Sequence, residues 1–146
     1  MILMIETPLT KLALSIATRA HAGQVDKAGL PYIEHPIHVA SSMETEAETC
    51  AALLHDVVED TDLTFEDLAS AGIPSDVINA LKLLTHDSNI PYLDYVRQIK
   101  TDPIALKVKL SDLRHNSDAS RLAHITEKDE ERLRKYARAI AILESD

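Results

Sequence analysis

Thr49-Cys50-Ala51-Ala52-Leu53-Leu54-His55-Asp56-Val57-Val58-Glu59-Asp60 opens apolar on most sides and closes on four ionisable groups, so it reads as a core helix whose polar end carries chemistry. Residues four apart on a helix share a face, which puts Glu59 one turn beyond His55 and Asp60 one turn beyond Asp56. Two potential metal ligands are thus followed by two potential acid/base groups. A solvated acidic helix end is the plain alternative. The apolar lead-in argues against it, because a helix buried on nearly all sides does not aim His, Asp, Glu and Asp together unless something positive faces them. One ion needs more ligands than two neighbours supply. His35, in Tyr32-Ile33-Glu34-His35-Pro36, and Asp112, in Leu110-Ser111-Asp112-Leu113, each follow an apolar run; each suits either an inward ligand or a hydrogen-bonded core residue.

Around this stretch the chain reads as helices. Thr7 as N-cap with Pro8 in the first turn starts one that runs to Gly23, and the polar segment from Gly23 to Pro31 is a loop. Helical spacing resumes from Tyr32 to about Met43, with His35 and His38 on it, and the acidic stretch Glu44 to Glu48 connects to the core helix. Thr64 with Asp67 caps a short helix to about Ala71, and Pro74-Ser75 opens another through Leu84. A loop spans Asp87 to Ile90, and Pro91 to about Lys100 is helical. Asp102-Pro103 repeats the capped start ahead of Ile104, Leu106, Val108, Leu110 and Leu113. Alternation near Val108 also suits a strand, but a lone strand has no partner. Thr126 with Asp129 caps a last helix to about Leu143, with Leu133, Tyr136, Ala137, Ile140 and Ala141 inward. The expectation is all-α: one compact bundle of about six to eight helices over residues 1–146.

Composition agrees. An apolar share of 45% with 27% charged residues is ordinary for a globular domain, and three glycines with 3% aromatics point away from sandwiches and barrels. Fifteen basic against twenty-four acidic residues leave a net charge of −9, which repels polyanions and excludes a nucleic-acid scaffold role. A phosphorylated substrate must then be drawn in by a metal ion or a few placed cations. No run approaches the roughly 18 apolar residues of a membrane span, and the apolar opening is too short for a signal peptide, so a cytoplasmic protein is expected. Cys50 is alone, which rules out a disulfide framework and suits a small buried residue.

His35, the adjacent His55-Asp56 and the later Asp112 reproduce the H…HD…D order of the HD superfamily of phosphohydrolases. Three longer blocks extend the match: His21-Ala22-Gly23-Gln24 with Lys27, Gly29, Pro31-Tyr32-Ile33 and His35-Pro36; Ala52 to Thr61; and Lys109-Leu110-Ser111-Asp112 with His115-Asn116. They resemble the hydrolase domain of Rel/SpoT proteins and, most closely, the small alarmone hydrolases. The resemblance implies a single divalent ion, usually manganese, held by His35, His55, Asp56 and Asp112, with Glu59 and Asp60 as the catalytic acidic pair that deprotonates water. It implies the alarmone ppGpp as substrate, cleaved at the 3′-pyrophosphate to GDP and pyrophosphate (GTP where the 5′ arm is a triphosphate), with Lys27, Asn116 and Tyr136 at the nucleotide. Taken alone, the imidazole and carboxylate donors suit manganese, iron or zinc equally.

Two positions depart from the family. Asp26 stands where the family usually carries an arginine suited to lying over a base. Leu113-Arg114 exchange the order found in the family's KLADRLHN block. A synthetase domain does not fit within 146 residues, so alarmone synthesis is not expected. Of the other histidines, His21 reads as structural, His38 as a candidate partner of His35, and His86, His115 and His124 as surface or capping residues. The alternatives to ppGpp hydrolysis are an HD phosphohydrolase for another nucleotide and a metal- or nucleotide-binding module without turnover. Oligomeric state is left open.

Overall fold

The computed structural model describes residues 4–118 and 124–145; of the apolar opening, residues 1–3 lie outside the described residues. In chain order the helices are α1 (Pro8–Ala20), α2 (Glu34–Ser41), α3 (Glu46–Leu54), α4 (Val57–Asp60), α5 (Phe65–Ala71), α6 (Ser75–Leu84), α7 (Tyr92–Ile99), α8 (Pro103–Asn116) and α9 (Glu127–Glu144). Among the described residues there is no strand, only an isolated bridge between Val25 and Pro31 that pinches the loop after α1. The fold is all-α as expected, and the segment around Val108 is helix. No helix among the described residues is long and apolar enough to cross a membrane.

Helix starts follow local chemistry. Thr7 accepts from the Thr10 amide at 3.1 Å while the Thr7 amide donates to Thr10 Oγ1 at 2.8 Å, which satisfies two amides that the first turn of α1 leaves free. Asp102 does the same for α8, accepting from the amides of Ile104 and Ala105 at 2.8 and 3.2 Å. The stretch Glu44 to Glu48, expected as a connector, is in part a helix start: Thr45 and Glu48 form a capping box, so α3 begins at Glu46.

The expected continuous helix to Asp60 is broken. α3 ends at Leu54, His55 and Asp56 form a turn, and α4 starts at Val57. The cause is local: His55 Nδ1 lies 2.5 Å from the Ala52 carbonyl, so a side chain caps the last turn of α3. A helical turn survives from Asp56 to Asp60, whose amide donates to the Asp56 carbonyl at 3.0 Å. His55 and Glu59 therefore belong to different segments.

α3 is the centre of the bundle, packed by α1, α2, α6 and α8, and Thr49 to Leu54 are buried, Cys50 among them. α9 closes one side against α7 and α8. Its inward face differs from the one expected: Ala137 and Ala141 are exposed, Ala139 and Leu143 are buried, and Leu133, Tyr136 and Ile140 are half-buried. Lying against two helices at once turns α9 toward its Ala139–Leu143 line.

Asp129 ties the start of α9 to the loop after α1. It accepts from the Thr126 amide and hydroxyl at 3.0 Å each, and from Arg132 and Lys27 at 2.9 and 3.5 Å. These bonds, those from Thr126 foremost, hold its carboxyl down at about 2. An unfolded aspartate titrates near 3.9, so this stabilisation is complete above about pH 4 and is lost as pH falls toward about 2. Asp129→Ala is expected to lower the Tm near neutrality, with the gap to the natural protein closing at about pH 2; thermal melts across that range check it, and a pH-independent gap would contradict it.

Candidate active site

The break after α3 aims His55 and Asp56 into the space between α2 and α8. His35 enters it from the first turn of α2 and Asp112 from α8. His35 Nε2 lies 2.8 Å from Asp112 Oδ1, and His55 Nε2 lies 3.1 Å from Asp56 Oδ2 and 3.4 Å from Asp112 Oδ1. One donor atom from each of His35, His55 and Asp56 falls within 4.8 Å of the others. His35, His55 and Asp112 are buried.

The donor set fits a divalent cation. His55 Nδ1 faces a carbonyl and so carries the ring proton, which leaves a lone pair on Nε2. That buried nitrogen has no hydrogen bond among the described residues and points at two carboxylates. Lone pair against carboxylate is repulsive unless a positive charge stands between them. Proton affinities carry the same message. Burial opposes charge on His55, but Asp56 and Asp112 more than offset it and raise its pKa well above the ordinary value. Burial likewise opposes ionisation of Asp112, yet Lys109, His35 and His55 hold its carboxyl well below the usual range.

An outer layer holds these groups in place. The Tyr32 hydroxyl donates to Asp56 Oδ2. Lys109 Nζ donates to Asp112 Oδ2 at 3.1 Å, and Asn116 Nδ2 donates to Asp112 Oδ1 at 3.0 Å. His115 is not the surface or capping residue expected: its Nδ1 lies 2.7 Å from His35 Nδ1, because it stands three residues past Asp112 on the side of α8 that packs on α2. His38, left open as a partner of His35, stacks on His115 with ring centres 3.9 Å apart. His115→Ala is expected to weaken metal binding about 10- to 100-fold, the usual effect of losing a partner that orients a ligand imidazole. Titration of stripped protein with metal measures this, and an unchanged Kd would mean that His35 is held without it.

The remaining histidines serve packing or solvent. His21 is buried beneath Tyr32, with Nδ1 2.9 Å from Gln24 Oε1. His86, half-buried rather than on the surface, faces the Ile90 carbonyl at 2.7 Å and stacks on Tyr95. His124 is exposed.

Glu59 and Asp60 lie exposed on α4, one turn past the break and close enough to feel the charge of Asp56. Their side chains have no hydrogen bond or ion pair among the described residues. Partial burial, then the negative charge of Asp56, raises the pKa of each, with the two acids adding to the effect on Glu59. A carboxylate with raised pKa and no partner is equipped to take a proton from water.

Lys27, Asn116 and Tyr136, drawn from the loop after α1, from α8 and from α9, line one pocket of about 300 Å³ together with Tyr32 and Arg132. The sequence reading did not single out Arg132, although its position one turn before Tyr136 puts both on one face of α9. Asp26, at the position of the family's arginine, is committed to its own loop: Oδ1 accepts from the amides of Ala28 and Leu30 at 2.8 and 3.0 Å. The exchanged Leu113-Arg114 pair points leucine into the core and leaves arginine outside, paired with Glu144 at 2.9 Å.

Fold and site together define a helical domain built around a buried His/Asp cluster of the kind that holds a divalent ion. The chain belongs to the HD domain family, whose model matches residues 13–141. It is 40% identical over 93 residues to guanosine-3′,5′-bis(diphosphate) 3′-pyrophosphohydrolase MESH1 of Danio rerio, across 58% of this chain and 51% of the relative. It is 37% identical to the MESH1 protein of Homo sapiens, across 71% of this chain and 65% of the relative. The bifunctional (p)ppGpp synthase/hydrolase SpoT of Escherichia coli is 35% identical across 71% of this chain and 17% of its own length. The chain thus spans between half and two-thirds of the MESH1 relatives. Among solved structures, a metazoan ortholog of SpoT described as hydrolyzing ppGpp superposes with a TM-score of 0.75 at 26% identity, covering 98% of this chain and 89% of that one.

Proposed function

We propose that this protein hydrolyses ppGpp at its 3′-pyrophosphate, using one divalent ion, manganese, held by His35, His55, Asp56 and Asp112. The observation that carries the reading is a buried two-imidazole, two-carboxylate cluster with two unpartnered carboxylates one turn past it and a nucleotide-sized pocket alongside. Donors without a thiolate suit manganese. The setting is cytoplasmic, where a free nucleotide and a lone thiol both belong.

A divalent ion held by His35, His55, Asp56 and Asp112 would supply a lowered pKa for a water and positive charge opposite the phosphoryl oxygens. Glu59 or Asp60 accepts the proton of the attacking water as its oxygen bonds the phosphorus next to the ribose. The bond from that phosphorus to the 3′ oxygen breaks with its electron pair on oxygen, the 3′ oxygen takes up the proton that the carboxylate accepted, and pyrophosphate leaves with the carboxylate restored. Tyr32, Lys109 and Asn116 keep Asp56 and Asp112 oriented through this step, while Lys27 and Tyr136 hold the nucleotide. The test is to incubate stripped protein plus manganese with a panel of nucleotides and follow released pyrophosphate and phosphate. Release of pyrophosphate from ppGpp alone is expected. A second reading, the same chemistry on a different base, is favoured by Asp26, whose carboxylate is taken up by its own loop.

A further inference from the structure

In a chain of net charge −9, a local excess of cations is informative. Arg134, Lys135 and Arg138 lie along one flank of α9 and, with Tyr92 of α7, line a groove of about 410 Å³. Lys135 Nζ stands 4.1 Å from the centre of the Tyr92 ring, which holds the ammonium in the groove. None of the three cations has an ion-pair partner among the described residues, whereas Arg97, Lys107, Arg114 and Arg132 each do. Glu131 adds one negative charge to the lining, so the groove stays positive.

Tyr92 is linked to the His/Asp cluster through Tyr95 and Lys109. Its ring lies 5.8 Å from that of Tyr95; Lys109 Nζ sits 5.4 Å from the Tyr95 ring and donates to Asp112. Burial raises the pKa of the Tyr92 hydroxyl, which also senses Lys109, Tyr136 and Asp112. The pocket of Lys27 and Asn116 reaches α9 through Arg132, Leu133 and Tyr136, and the groove through Arg134, Lys135 and Arg138, so the two flank the helix.

We propose that this groove is a second phosphate subsite, which receives the 5′-diphosphate of the nucleotide while its 3′-diphosphate lies at the His/Asp cluster. The inference rests on the proposed function. A nucleoside bis(diphosphate) carries its two anionic arms on the neighbouring ribose carbons C3′ and C4′, projecting to opposite faces of the ring, and the cluster takes only one. In an acidic protein the other arm needs cations of its own. Lys27 and Arg132 are partly spent on Asp129, while Arg134, Lys135 and Arg138 are not.

The test compares guanosine 3′,5′-bis(diphosphate) with guanosine 3′-diphosphate bearing a free 5′ hydroxyl, on the natural protein and on a Lys135→Ala, Arg138→Ala double variant. Losing two exposed charge contacts is expected to raise KM for the first compound about tenfold, with kcat unchanged and KM for the second unaltered. Glu131→Gln is expected to shift KM for the first compound in the opposite direction. Calorimetric Kd values for both compounds should show the same pattern without turnover. Equal KM and Kd in natural protein and double variant, or equal losses for both compounds, would overturn the subsite. Absence of pyrophosphate release by the natural protein would overturn the functional reading instead, and the calorimetric comparison would still decide the subsite. No binding of either nucleotide would overturn both.

Discussion

Glu59→Gln and Asp60→Asn are expected to keep their metal and bind nucleotide while losing turnover by about a hundred- to ten-thousand-fold, the usual contribution of a placed general base. Each change preserves size and removes both the negative charge and the site that accepts a proton. Both side chains are free of other bonds among the described residues, so neither substitution breaks a structural contact, and the Tm should stay within a degree or two of the natural protein. The loss should fall on kcat rather than KM, because the proton transfer occurs in the transition state. Metal content, nucleotide affinity and pyrophosphate release on the same preparations make the measurement. Near-normal turnover in both variants would mark these carboxylates as surface acids.

Removing the metal is expected to abolish turnover and lower stability together. His35, His55, Asp56 and Asp112 come from α2, the turn after α3, and α8, so an ion they hold braces segments far apart in the chain. At a hundredfold excess over Kd, binding to the folded state alone contributes about 2.7 kcal/mol. For a domain near 150 residues that corresponds to a rise in Tm of roughly 5–10 °C. Melts of stripped protein with and without manganese, zinc or iron check this, and no shift with any of them would remove the metal assignment. His55→Ala and Asp56→Ala should lose the bound ion, the metal-dependent part of the Tm and activity. Asp56→Ala also leaves the Tyr32 hydroxyl without its partner, which adds a cost of about 1–3 kcal/mol.

Much of the fold is legible because helix starts are local. Thr7, Thr64, Asp102 and Thr126 each satisfy first-turn amides with their own side chains, and those bonds need no distant partner. Thr45 and Glu48 do the same and were passed over because the surrounding acids resemble a connector. The break at His55-Asp56 was hidden for a different reason. Helical periodicity continues through those residues, and only the bond from the imidazole to the Ala52 carbonyl ends the helix.

The resemblance to the HD phosphohydrolases singled out His35, His55, Asp56 and Asp112, the acidic pair, and Lys27, Asn116 and Tyr136 as candidates. Their meeting in space was not legible, because contacts between α2, α3 and α8 join segments tens of residues apart, and no local bond encodes them. Histidine is amphipathic enough to suit surface, cap or core, so nothing local could place His115 against His35. The same holds for Arg132 and for the cations beside Tyr92, which sit in the charge-rich run Lys128 to Arg138, where nothing local marks one charge from another. Local hydrogen bonding and apolar periodicity determined that the regular elements among the described residues are helices, with a chemical end on the core segment. Packing of helix against helix, a long-range effect of burying apolar surface, decided which charges face the site and which face water.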